Sequence, residues 1–151
     1  VLGDAVEARV FPGAVVEVGT RLGTLATLSV GRVIYDDGAV PVDAGSVYDL
    51  ASLTKVLATT ALALDLAERG TIALGDPIRR WMPQWAGPDR QGVTVRHLLE
   101  HASGLPGHRP YYQTLQGRHR FASAICAEPL EYAPGDRSIY SDPGFMLLGF
   151  V

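Results

Sequence analysis

The sequence predicts a mixed α/β fold in which an antiparallel strand pair precedes a set of helices, and three observations carry this expectation. Residues 14–18, Ala-Val-Val-Glu-Val, and residues 24–30 are strand-like runs separated by a Gly19 to Gly23 turn, the pattern of a hairpin. Residues 53–69 are rich in Ala and Leu, hold no Gly or Pro, and stop at Gly70, the pattern of a helix with a glycine just past its end. Beyond that helix, proline and glycine break the chain into shorter helical and irregular pieces.

In chain order, Leu2, Val6 and Val10 are spaced four apart and suggest the end of a helix, broken by Phe11-Pro12-Gly13. Residues 32–35 extend the hairpin towards Asp36-Asp37-Gly38, a strong turn signal. The 53–69 helix takes Asp49 as a plausible cap. With Leu and Ala on nearly every side, it is expected to be buried all round. Residues 76–85, with Pro77, Trp81, Pro83 and Trp85, are expected to be largely irregular. Thr94 caps a short helix over 95–101, ended by Ser103-Gly104-Leu105-Pro106-Gly107. Residues 111–127 read as helix interrupted at Gly117, and 131–136 as a loop leading to Tyr140. Asp142 then serves as N-cap and Pro143 as first-turn proline of an apolar helix that runs to Val151.

Composition narrows the function classes. At 151 residues, 47% hydrophobic and 19% charged, the chain suits one globular domain with a real core. A net charge of −3 gives no general attraction to nucleic acid or anionic lipid. No apolar run is long enough to span a membrane; residues 56–67 are interrupted by Thr59, Thr60 and Asp65. The single cysteine, Cys126, cannot form an internal disulfide and is expected to be a core thiol. Localisation stays open.

The chemistry centres on Lys55. Of 13 Lys and Arg residues it is the only lysine, and it follows Ser52 by three positions in Asp49-Leu50-Ala51-Ser52-Leu53-Thr54-Lys55. Arginine holds its proton at any physiological pH, whereas an amine can release one. One helical turn apart, the two side chains share a face, as a serine nucleophile with a lysine base requires. Ser-x-x-Lys by itself is a weak signal, and its context must decide. A lysine titrates far above neutrality, so using it as a base near pH 7 takes about 4 kcal/mol of disfavour for the ammonium. Burial and the positive end of the helix both act in that direction. A neighbouring phenolate would act oppositely, holding Lys55 charged and depressing the tyrosine; both assignments stand at this point.

His97-Leu98-Leu99-Glu100-His101 matches a zinc-binding spacing. A catalytic zinc needs a third ligand and an open position, and the helix breaks directly after His101. The segment is therefore read as structural, with no metal and no cofactor. Ser103 lacks the glycine two residues before it that a nucleophile elbow needs.

Three patterns occur in order: Ser52-Leu53-Thr54-Lys55, Leu98-Leu99-Glu100-His101-Ala102-Ser103-Gly104-Leu105-Pro106, and Tyr140-Ser141-Asp142-Pro143-Gly144-Phe145. With these the chain, from about Phe11 onward, resembles the serine β-lactamase and penicillin-recognising family, on the branch of class C β-lactamases, D-alanyl-D-alanine carboxypeptidases and related esterases. The resemblance implies a β-lactamase/transpeptidase-like fold, an antiparallel sheet flanked by helices plus a helical subdomain. It also implies Ser52 as acylated nucleophile, Lys55 as the residue sharing its proton, and Tyr140 as the base that later protonates the leaving group. Asp142 falls at the third position of the Tyr-x-Asn-like element and is the candidate substrate contact. An ionised aspartate lacks the amide donor of asparagine, which puts recognition of β-lactams and peptides in doubt.

The expected function is a serine hydrolase acting through an acyl-enzyme, foremost a carboxylesterase. A carboxypeptidase or β-lactamase, and a non-catalytic penicillin-recognising sensor, are the alternatives. The expected partners are a small ester or β-lactam/peptide substrate, not nucleic acid. The family's late Lys-Thr-Gly or His-x-Gly strand does not occur here. The chain is accordingly expected to be the N-terminal portion of one domain, with strands and nucleophile helix in 1–70 and a helical, irregular subdomain in 71–151. The remainder of its domain beyond Val151 would supply the C-terminal strands, and this stretch alone is expected to be inactive and poorly soluble.

Overall fold

The computed structural model describes residues 1–151 throughout, in two compact units, Val1–Asp49 and Leu50–Val151. The first unit holds helix α1 (Leu2–Glu7) and the expected hairpin, β1 (Gly13–Thr20) and β2 (Gly23–Gly31). The strands pair antiparallel from Gly13 opposite Gly31 to Thr20 opposite Gly23, with an irregularity at Val18/Gly19. Gly31 is obligatory at its position: its φ is +77°, and a side-chain carbon there would strike the Pro12 carbonyl. The strand-like signal of residues 32–35 does not lengthen the hairpin. Only Arg32 forms a bridge, to Pro41, because the chain turns back at 36–39, where Ala39 N–H bonds to Asp36 O.

The second unit begins with the helix of the Ser52–Lys55 motif, here called the nucleophile helix after the role expected of Ser52, π-helical over Lys55–Thr60 and continuing as α2 (Ala61–Glu68). It continues with α3 (Val95–Leu99), α4 (Arg118–Ala127) and α5 (Asp142–Leu148), joined by long irregular segments and two short 3-10 turns at Ile78–Arg80 and Tyr111–Gln113. The 3-10 turn and the irregular stretch around it are what Pro77 and Pro83 dictate, since neither can continue a helix from within. Gly117, at φ +81°, separates the Tyr111 turn from α4 as its position predicts.

The core lies in this unit: Ile78, Trp85, Val93, Val95, Leu98, Leu105, Ile125 and Leu147 are fully or almost fully buried. Each such side chain contributes about 1.5–3 kcal/mol by leaving water. Cys126 is a buried thiol, as expected, and burial pushes its titration up. Buried Arg90 closes the core's edge, donating to the Cys126 carbonyl at 2.8 Å and to the Asp89 carboxylate. Phe145, Leu147 and Leu148 sink α5 into the same core, which fixes the helix carrying Asp142.

Two local expectations fail. The nucleophile helix is not buried all round: Leu53, Val56, Leu57, Leu62 and Leu64 are more than half exposed, and the helix packs by Ala63, Leu66 and Ala67. An Ala/Leu composition marks a helix with apolar surface on several faces but does not say which of them meets a neighbour. Asp142 is also not the N-cap of α5. Ser141 is, its Oγ accepting the Gly144 N–H at 3.0 Å, so the Asp142 carboxylate points elsewhere.

Candidate active site

Ser52 and Lys55 stand at the head of the nucleophile helix. The helix opens with three tight turns, Leu53, Thr54 and Lys55 N–H donating to Leu50, Ala51 and Ser52 carbonyls at 2.8, 3.1 and 3.0 Å. Ala51 has φ +42°, a left-handed conformation that costs a residue with a side chain about 1–2 kcal/mol. Strain directly before the serine turns the chain sharply into the helix and sets the Ser52 side chain on an exposed corner. Nothing in the sequence marks it, because alanine is an ordinary helix former. The π-helical winding from Lys55 to Thr60 was equally hidden; such widened turns collect at functional sites.

Lys55 Nζ donates to Ser52 Oγ at 3.1 Å, so the one-turn spacing does bring amine and hydroxyl together. Its nearer partner is Asp142, whose Oδ1 lies 2.7 Å away across 87 residues of sequence. The other oxygen of that carboxylate meets His108 Nδ1 at 3.0 Å. Tyr140 completes the group: the Lys55 nitrogen lies 4.9 Å from its ring centroid, and its phenol shares hydrogen bonds with Ser52 and Lys55. All four candidate residues thus converge.

The electrostatics favour one of the two proton assignments that spacing leaves open. Burial acts to discharge Lys55, but hydrogen bonds to Asp142 and Tyr140 and the Asp142 charge outweigh it, and the amine is held above its ordinary value. Hydrogen bonds from Ser52 and Lys55 pull the Tyr140 phenol below its ordinary value. For Asp142, burial opposes the charge, yet the bonds from Lys55 and His108 prevail and keep the carboxyl below the usual range. The resulting state is an ammonium at Lys55, a carboxylate at Asp142 and an acidified phenol at Tyr140. Asp142 is the residue whose part was underread, and one signal could have found it: an acid where the Tyr-x-Asn element has an amide, beside the only lysine.

The His-x-x-Glu-His segment is spent on backbone geometry. His97 Nδ1 accepts the Thr94 N–H at 3.2 Å within the capping box of α3, and His101 Nδ1 accepts the Ser141 N–H at 2.9 Å. Ser103 is buried, its Oγ accepting the Leu105 N–H at 3.3 Å.

The family model named Beta-lactamase matches residues 2–151. The chain belongs to the beta-lactamase family. An uncharacterized protein of Mycobacterium tuberculosis is 32% identical over 163 residues, covering 91% of this chain and 40% of its own length. A penicillin-binding protein of Bacillus subtilis is 33% identical over 119 residues, covering 74% of this chain and 26% of its own. Among solved structures, a class C beta-lactamase superposes with a TM-score of 0.79 at 22% identity, over 97% of this chain and 40% of that one. The mixed α/β architecture is therefore part of the beta-lactamase fold, and the chain spans 40% or less of the length of these relatives. No helix of the beta-lactamase-family chain is long and apolar enough to cross a membrane.

Proposed function

We propose that the protein is a serine hydrolase that forms an acyl-enzyme on Ser52, and that its substrates are small carboxylic esters. The observation that carries this is the Lys55 ammonium held between Ser52 Oγ at 3.1 Å and Asp142 at 2.7 Å, with Tyr140 sharing the same hydroxyl. Family membership supports the hydrolase part. The preference for esters rests on Asp142.

Tyr140, in its phenolate form stabilised by Lys55, accepts the Ser52 proton as Oγ attacks the substrate carbonyl. The positive end of the nucleophile helix faces the negative charge that gathers on the carbonyl oxygen. The tetrahedral intermediate collapses, the C–O bond to the alcohol breaks, and the Tyr140 proton passes to the departing oxygen. Water then attacks the acyl carbonyl, giving a proton to Tyr140, which passes it to Ser52 Oγ as the acyl C–O bond breaks, releasing the carboxylic acid and restoring the serine hydroxyl and the phenolate. Lys55 stays charged throughout and lowers the energy of the phenolate.

Asparagine at position 142 could donate an N–H to an amide carbonyl on the acyl side of a substrate. The Asp142 carboxylate can only accept, and both its oxygens are engaged, by Lys55 and His108. A substrate with an amide carbonyl there would leave a polar group unpaired, a penalty of about 1–3 kcal/mol, whereas a simple ester loses nothing. A chromogenic short-chain ester and a chromogenic cephalosporin, assayed side by side on the full-length protein, test this. Faster ester turnover supports the proposal. Faster cephalosporin turnover favours a β-lactamase or carboxypeptidase, and turnover of neither, with no fluorophosphonate or penicillin adduct, favours a sensor.

A further inference from the structure

His101 lies outside the reacting group, and its contacts converge on the two residues that flank Tyr140. Its carbonyl accepts the Ile139 N–H at 2.9 Å, and its ring Nδ1 accepts the Ser141 N–H at 2.9 Å. Ile139 and Ser141 are thus bound like residues of a strand, but by one residue using backbone for the first and side chain for the second. The ring itself stacks on Tyr140, with centroids 4.5 Å apart, and on Phe145 at 4.7 Å.

Such a double clasp needs an unusual backbone. His101 has φ +56°, outside the ordinary range for a residue with a side chain. The conformation is held by His101 N–H on Leu98 O at 3.2 Å, by Ala102 N–H on His97 O at 2.7 Å, and by the Tyr132 hydroxyl on the His101 carbonyl at 3.2 Å. A helix that ends in this way turns the ring back towards 139–141. Gly104, three residues further on at φ +87°, lets the Tyr132 carbonyl approach where a side-chain carbon would collide with it.

We propose that His101 is a positioning residue for Tyr140: as a neutral imidazole protonated on Nε2, it pins residues 139 and 141 so that the phenol between them meets Ser52 and Lys55. The tautomer follows from the bond, since a nitrogen that accepts the Ser141 N–H cannot itself carry a proton. Burial, and after it the Lys55 charge, hold the ring below its ordinary titration, against weaker pulls from Asp142 and the Ser141 bond. Tyr132 and Tyr140 are the other titratable groups in contact with it, and a phenolate at Tyr140 pulls in the same direction as Asp142.

The catalytic consequence rests on the acyl-enzyme proposal above; the clasp itself does not. Two variants of the full-length protein separate the ring from its acceptor. His101→Asn keeps an acceptor atom in the place of Nδ1 and loses the ring. His101→Phe keeps the ring and loses the acceptor. Three readouts apply: kcat and KM for a chromogenic ester, thermal unfolding, and the Tyr140 phenol titration followed by ultraviolet difference against Tyr140→Phe. His101→Phe is expected to lower kcat about 100-fold at unchanged KM, the cost of a misplaced catalytic group. It is also expected to return the phenol towards its ordinary titration, while His101→Asn recovers most of both. The nitrogen shifts of His101 in the wild type should report a neutral ring with its proton on Nε2.

Wild-type kcat and phenol titration in a folded His101→Phe would overturn the proposal. So would losses in both variants that merely follow their lost thermal stability. A phenol titration that responds as expected, in a protein that turns over no ester, would uphold the clasp and overturn only the hydrolase proposal.

Discussion

Asp142 Oδ1 lies 2.7 Å from Lys55 Nζ, closer than the 3.1 Å that separates the same nitrogen from Ser52 Oγ. The first claim on the amine is therefore a carboxylate, and in the proposed mechanism the lysine serves as a fixed positive charge rather than as a free base. With the Lys55 side chain only 16% exposed, that carboxylate also answers for the cost of burying an ammonium.

Replacing Asp142 with Asn should release the amine. The Asp142 charge that helps to raise the Lys55 titration is then gone, burial and the opposing pull of Tyr140 remain, and the ammonium discharges at lower pH than in the wild type. The alkaline limb of the ester pH–rate profile should move down accordingly, and cephalosporin turnover should rise relative to ester turnover. Parallel profiles of the wild type and Asp142→Asn check both.

The same pair sets a pH dependence of stability. Asp142 is held below its ordinary value, so its contribution is complete above that value and disappears as pH falls through the folded one. Lys55 is held above its ordinary value, so its contribution is complete below that value and is lost as pH rises beyond it. Asp142→Asn should cost about 2 kcal/mol between these limits and much less under strong acid. Thermal melts of both proteins across the pH range measure the gap.

Tyr140→Phe tests the base. Removing the phenol oxygen leaves the Ser52–Lys55 contact in place but deletes the proton acceptor, and kcat should fall about 100- to 10,000-fold with little change in KM. Steady-state kinetics on the ester decide it.

The elements that local chemistry dictates were legible in the sequence: the hairpin from its β-branched runs, the Thr94 cap, the break at Gly117, the buried Cys126. Ser52 and Lys55 could be paired because a helical turn joins them. What was not legible depends on contacts distant in sequence. Asp142 was read as a cap because Asp-Pro is the local signature of a helix start; only the folded chain shows Ser141 doing that work and Lys55 claiming the carboxylate. Which flank of the nucleophile helix is buried is illegible for the same reason, since a helix does not specify its neighbours. The strained φ of Ala51 and His101 left no trace in composition, neither being glycine.

Ala51 offers a stability test at the strained residue that precedes Ser52. Glycine adopts φ +42° without the side-chain clash that alanine suffers. Ala51→Gly should therefore be neutral to stabilising by about 1 kcal/mol, whereas Ala51→Val should be destabilising by more than that. Denaturant unfolding of the two variants reads the difference.

The most direct measurement is mass spectrometry of the full-length protein quenched during ester turnover. The account predicts one acyl group on the peptide containing Ser52, absent in Ser52→Ala and slower to form in Tyr140→Phe. An acyl group on another residue, or one that persists in Ser52→Ala, would contradict it.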